Sequence, residues 1–193
     1  IGYRSLARAL GDDNKTSLGA SFKALTLRAL QFYGQAYFDQ IQLNQLNSNG
    51  WWGNQLGLQL GGKYFDAFTL NNLDLQGEVN IVRPFTYASA NSVTNYTHYN
   101  QPLAHPYGAG FAEWIGTARY QPLPNLYLSA KFTYSVRGTD SSGNLNYGND
   151  IFKPYDSRSG DYGYTLTAGQ EMKGIYLSFN VAYELRPNIF LEA

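Results

Sequence analysis

The stretch LYLSAKFTYSVR at residues 126–137 alternates without a break: Leu126, Leu128, Ala130, Phe132, Tyr134 and Val136 share one parity, and Tyr127, Ser129, Lys131, Thr133, Ser135 and Arg137 share the other. Successive side chains of an extended strand point to opposite faces, so a period of two predicts a β-strand with one greasy and one wet face. The split returns at 175–186, where Ile175, Leu177, Phe179, Val181, Tyr183 and Leu185 oppose Tyr176, Ser178, Asn180, Glu184 and Arg186. Working outward, residues 55–64 set Leu56, Leu58, Leu60 and Tyr64 against Gln55, Gln59 and Lys63, and residues 73–83 set Leu73, Leu75, Val79 and Ile81 against Asp74, Gln76, Glu78 and Asn80. Segments 30–39 and 113–121 repeat the pattern more loosely, a weaker strand covers 18–26, and another begins at Ile189.

The polar faces decide what kind of sheet this is. A soluble sandwich exposes strand faces rich in Lys and Glu. Here the polar parity carries Gln, Asn, Ser, Thr and Tyr with isolated charges of both signs, which suits a hydrated barrel interior lined by Lys63, Glu78, Arg119, Lys131 and Arg137. Connections follow the same logic. Short ones come after the segments ending near Thr26, Phe65, Gln121 and Leu185, and long ones fall near 44–53, 84–112 and 138–173, in alternation along the chain. Short turns at one rim and long loops at the other are the habit of outer-membrane barrels. The alternation assigns 162–170 to the third long loop, outside the membrane. Residues 5–10 read as a short helical turn.

The expected fold is therefore all-β: an antiparallel transmembrane β-barrel of about eight strands, one domain over 1–193, located in the bacterial outer membrane and in contact with its lipid or lipopolysaccharide. Composition agrees. Of the 193 residues 16% are aromatic, with 17 Tyr and 11 Phe, while only 15% are charged, well below the share in an ordinary soluble domain. The 14 basic and 14 acidic residues balance, so nothing in the charge favours nucleic acid. No Cys is present, which excludes disulfides, thiolate metal sites and cysteine nucleophiles. The chain opens at Ile1 without a signal sequence and is read as a mature form or a fragment.

Chemistry finds little foothold. Walker, dinucleotide and nucleophile-elbow motifs are missing, so no cofactor is expected. The two histidines, His98 and His105, stand seven apart in the loop 84–112, a spacing of no standard metal motif, and read as residues that hydrogen-bond the loop into shape. Glu78 with Glu113, or Ser92 with His98 and a remote Asp, are the only hydrolytic arrangements to consider, and interior carboxylates ordinarily serve as ion-pair partners. Trp51 and Trp52 read as interface-girdle aromatics or as a platform for sugar rings. A ligand site, if present, belongs on the loops carrying Trp51, Trp52, His98, Asn100, Gln101 and His105, where rings stack and amides bond hydroxyls.

Three segments carry a family likeness: LQGEVNIVRPFTY at 75–87, NYTHYNQPLAHP at 95–106 and GAGFAE at 108–113, supported by WWGN at 51–54 and GKYFDAF at 62–68. Together they resemble the Wzi-type capsule-assembly barrels of Bacteroidetes, a group that includes the RemB-like gliding-motility outer-membrane proteins. The resemblance runs from about residue 16 onward and implies the C-terminal part of a larger barrel. It also implies a non-enzymatic role in surface polysaccharide assembly or attachment, or in gliding motility, with polysaccharide or other envelope proteins as partners. Two rival readings remain open: a porin-like diffusion channel, and a soluble β-sandwich carbohydrate-binding domain.

Overall fold

The computed structural model describes residues 17–40, 45, 49–91, 94–140 and 145–192. The turn expected at 5–10 and the candidate Ser92 lie outside them. Among the described residues the chain is a meander: β1 (Leu18–Thr26), β2 (Leu30–Gln40), β3 (Gln55–Tyr64), β4 (Leu73–Val82), β7 (Phe111–Leu123), β8 (Leu126–Thr139), β9 (Gln170–Arg186) and β10 (Ile189–Glu192). A two-by-two hairpin, β5 (Thr97–His98) with β6 (Gln101–Pro102), stands apart inside the loop between β4 and β7. The eight strands form one antiparallel sheet in chain order, and helix is confined to isolated single turns. No pairing joins β1 to β10 among the described residues, so these two are open edges and the sheet is not closed into a barrel. Among the described residues no helix is long and apolar enough to cross a membrane.

The expected asymmetry of connections is present. Residues 27–29, 124–125 and 187–188 make tight turns at one end, joined there by the somewhat longer 65–72, while 41–54, 83–110 and 140–169 all lie at the other. Asn72 and Asn188 hold the left-handed conformation that Asn tolerates best after Gly, which is why short Asn-bearing links close two of these turns. Residues 162–169 are loop and form no hairpin, and β9 begins earlier than the alternation alone suggests, at Gln170.

Register turns the alternation into two surfaces. Across the sheet, Phe22, Gly34, Leu60, Val79, Trp114, Tyr134 and Ile175 stand directly opposite one another in succession, and so share a face. One residue along, the row reads Ser21, Gln35, Gln59, Asn80, Glu113 and Ser135. The apolar face is bare: Ile175 and Leu177 are 74% and 73% exposed, and Phe132 46%. The polar face is open at Tyr176, which is 57% exposed, and covered towards the loops, with Thr133 at 7% and Ser135 at 5%. This inverts the usual order, in which apolar side chains go inside.

What covers the polar face is the long-loop end. Val82 and Phe111, both on that face near the loops, are buried against Tyr87, Ala109 and Ile151, with Tyr37 and Tyr107 packed around them. A second buried cluster, Phe85, Tyr164 and Ala168 with Trp52, Tyr147 and Tyr155 around it, joins the three long loops to one another. The hydrophobic core thus lies in and under a loop cap, at one end of the sheet.

Candidate functional site

The loop 83–110 leaves β4 through Arg83, whose guanidinium donates from Nε to the carbonyl of Asn54 at 2.8 Å and from Nη2 to that of Tyr164 at 3.5 Å. Burial lowers its pKa from the usual arginine value, and the two carbonyls supply the acceptors that water would otherwise provide. Arg83 therefore ties loop 41–54 to loop 140–169. Hydrogen bonds to a charged group contribute about 1.5–3 kcal/mol. Arg83→Ala should accordingly raise the rate of protease nicking in these two loops by roughly 10- to 100-fold, without altering the strands. Unchanged nicking in limited proteolysis would refute the clasp.

From Arg83 the loop turns onto the polar face of the sheet. The Tyr87 N–H donates to Asp39 Oδ2 at 3.3 Å, and the Tyr87 ring gathers with Tyr37 (centroids 4.9 Å) and Tyr96 (5.8 Å). Burial, reinforced by Tyr37, Tyr96 and Asp39 nearby, pushes the Tyr87 hydroxyl up to about 12, so it remains a neutral donor at any physiological pH. Gly57 makes room for it, since a Cβ there would meet the Tyr87 hydroxyl oxygen at 2.8 Å.

His105 closes the loop down. Its Nδ1 accepts from the Tyr107 N–H at 3.2 Å, which assigns the proton to Nε2, and Nε2 donates to Glu113 Oε2 at 3.0 Å. The ring also stacks on Phe111, centroids 4.4 Å apart. Glu113 shares Asn80 with Glu78: the Asn80 amide donates to Glu113 Oε2 at 3.4 Å and to Glu78 Oε1 at 3.0 Å. Glu78 is completed by Tyr33 Oη at 2.6 Å and by Gln59 Nε2 at 3.0 Å, and Gln76 Nε2 donates to Tyr33 Oη at 2.8 Å. The two carboxylates of the hydrolytic alternative are thus bridged by a neutral amide, and Glu78 accepts from neutral donors on both oxygens.

Beneath the loop lies a cavity of about 320 Å³, lined among others by Tyr37, Tyr87, Tyr96, Gln59, Asn80 and His105. Next to it on the same face, over β1–β4, a trough of about 450 Å³ is lined by Lys23, Gln31, Tyr33, Lys63 and Glu78 among others, and shares Gln35 and Gln59 with the first.

Of the six loop residues expected to form a ligand site, only His105 lines this region. His98 and Gln101 pair in the small hairpin, whose turn residues Tyr99 and Asn100 both have positive φ, and the three polar side chains His98, Asn100 and Gln101 stand in solvent at its tip. Trp51 and Trp52 adjoin each other, centroids 6.0 Å apart, and Trp52 packs on Tyr155 and beneath the Arg158 guanidinium, 3.9 Å from its ring centre. The six therefore occupy three separate places.

The charged set fares differently. Lys63, Glu78, Arg119, Lys131 and Arg137 all fall on the polar face by register. No ion pair joins any two of them among the described residues; Arg137 instead lies over the Tyr107 ring at 5.1 Å, and Lys63 stands 6.0 Å from the Tyr33 ring centre. Sequence reasoning passed over Tyr87 and Tyr96, because an aromatic in a long loop carries no sign of which strand face it will meet, and with them the partners that single out Tyr37 on β2. The Asn80–Glu113 contact was hidden for a related reason: it needs the β4–β7 register, in which the two residues are direct partners.

Comparison with known proteins adds no relative: no protein-family model matches the chain, and no curated protein or solved structure is significantly similar to it.

Proposed function

We propose that the chain is a non-enzymatic outer-membrane β-barrel segment that handles surface polysaccharide, in capsule assembly or attachment or in gliding motility, and meets its partners through the long-loop end. The observation that carries the reading is the inverted polarity of the sheet, with Ile175, Leu177 and Phe132 bare and Thr133 and Ser135 covered. Water penalises a broad bare apolar face, whereas hydrocarbon demands one.

The dimensions support it. On the apolar side of β4, Leu73, Leu75, Gly77, Val79 and Ile81 begin successive rows. Four intervals of two residues, each about 6.8 Å, span roughly 27 Å along the strand, or about 20 Å after a barrel-like tilt, close to the ~25 Å apolar band of outer-membrane barrels. Interface-type aromatics stand towards both ends of that band, with Trp114 stacked on Tyr134 in the Val79 row on the loop side, Tyr120 in the Leu73 row and Tyr183 beyond it towards the turns. Above it, Lys173 pairs with Glu171 at 3.2 Å.

Closure then requires strands beyond the eight described, as the resemblance to larger Wzi-type and RemB-like barrels implies. The channel alternative is disfavoured by the loop 83–110, which His105 fastens over the polar face. Two single-cysteine forms, at Phe132 and at Lys131, labelled with an environment-sensitive probe in outer-membrane vesicles, test the membrane reading. A lipid-like signal at 132 with a water-like one at 131 is the expected outcome, and the reverse pattern sinks it. Bilayer conductance separates the channel: the capped form should pass little current.

A further inference from the structure

We propose that the trough over β1–β4 is a binding site for an acidic sugar unit, a hexuronate-type ring whose carboxylate sits between Lys23 and Lys63. The inference rests on the polysaccharide reading above but assigns the ligand to the polar face of the sheet, away from the Trp51, Trp52 and His98 loops.

Three observations converge on it. First, the cations of the trough are uncompensated. Lys23 and Lys63 have no acidic partner within ion-pair distance among the described residues. Glu78, the acid lining the same trough, spends both carboxylate oxygens on Tyr33, Gln59 and Asn80. Neutral donors have taken the place that a lysine would normally fill, so the lysines' field is directed at whatever enters. With Glu78 counted, the trough keeps a net positive charge.

Second, the remaining lining is amide and phenol. Gln31 and Gln35 make no side-chain hydrogen bond within the described protein, and Gln59 and Gln76 each use a donor internally while keeping a carbonyl oxygen. Carboxamides that both donate and accept suit vicinal hydroxyls, which do the same. The Tyr33 ring lies over Gly61 and is held by the bonds of its hydroxyl to Glu78 and Gln76, with the Lys63 ammonium 6.0 Å from its centre, so phenol and cation stand side by side among the amides.

Third, the space is of the right scale and has a continuation. The trough measures about 450 Å³ and runs through Gln35 and Gln59 into the 320 Å³ cavity under the loop, where Tyr37, Tyr87 and Tyr96 cluster. A site of a few hundred Å³ accommodates a ligand of one to three rings. A simple inorganic anion needs neither the amides nor the volume.

The test uses the full chain purified in detergent, with trigalacturonic acid as the probe and maltotriose as its neutral counterpart, followed by calorimetry. Saturable binding of the acidic trisaccharide is expected, weakening as salt is raised and falling about tenfold in Lys63→Gln and in Lys23→Gln. Lys131→Gln removes a cation from the row of Lys63 three strands further on, outside the trough, and should leave binding unchanged. Circular dichroism of each variant verifies the fold. No binding of trigalacturonic acid, equal binding of maltotriose, or equal loss in Lys131→Gln would each overturn the proposal. So would inorganic phosphate or acetate competing at the same concentration as the trisaccharide. The outcome is separable from the membrane reading: a lipid-like Phe132 signal without sugar binding defeats this inference alone, and sugar binding with a water-like Phe132 signal defeats the other alone.

Discussion

Replacing Leu177 by arginine is expected to prevent stable membrane insertion, while replacing its neighbour Ser178 by arginine leaves insertion intact. The two positions adjoin on β9 and face opposite sides of the sheet. Leu177 stands opposite Phe132 in the middle row of the apolar face, and Ser178 stands opposite Lys131 on the polar face. In water, a 73%-exposed leucine is among the safest places for a charge, and the substitution would stay within about 0.5 kcal/mol or improve solubility. In hydrocarbon the same change costs about 2–4 kcal/mol at the midplane and progressively less towards the interfaces. The sign of the effect therefore depends on the solvent the face meets. Leu185→Arg, beyond the band towards the turns, should be milder than Leu177→Arg. The measurement is the inserted fraction after refolding into vesicles, read by protease protection. A Leu177→Arg chain that inserts like the parent, or one that behaves as a more soluble monomer, would refute the membrane assignment together with the function argued from it.

The strands were legible because their evidence is local. Period-two alternation at 126–137 and 175–186 needs no partner to be read, and the structure extends both segments without shifting parity, to Leu126–Thr139 and Gln170–Arg186. Loop alternation was legible for the same reason, since Asn- and Pro-bearing links between strand patterns are short-range signals. The site was not. His105 and His98 look alike in the sequence, each with a tyrosine one or two residues on in the same polar loop, yet one is drawn onto Glu113 and Phe111 while the other stands in solvent. The difference lies in chain geometry: Tyr99 and Asn100 turn the hairpin back at its tip, and residues 105–110 then descend to β7. Trp52 was misleading in a related way. Beside a strand start it looks like an interface residue, and only the folding of a segment a hundred residues later brings Arg158 and Tyr155 onto it. Long-range contacts between loops leave no periodic trace, so cap residues are the ones sequence reasoning finds last.

That dependence on distant loops makes one residue the test of the cap. Phe85→Ala is expected to melt all three long loops together while the sheet persists. Phe85 is fully buried, meets Tyr164 edge-on at 4.8 Å and Trp52 at 6.0 Å, and its N–H donates to the Gly148 carbonyl at 2.7 Å. It thus touches loop 41–54 through Trp52 and loop 140–169 through Tyr164 and Gly148, from its own place in loop 83–110. Gly148 shows how close the packing is: at φ +80, a Cβ there would stand 2.5 Å from the Phe85 ring. Deleting a buried phenylalanine side chain costs about 3–5 kcal/mol through lost transfer energy and the cavity left behind. Loops can open locally without unfolding the sheet, so that cost should appear as faster amide exchange in the three loops, by about two to three orders of magnitude. Amides of β7 and β8 should keep their protection, because the strand ladder draws on backbone pairing that Phe85 does not touch. Faster exchange in loop 83–110 alone would show that the loops fold independently and would remove the basis for a single surface-facing cap. Loss of protection throughout β7 and β8 would show instead that the cap holds the sheet together, a behaviour of soluble domains and opposite to that of strands held by the hydrocarbon around them.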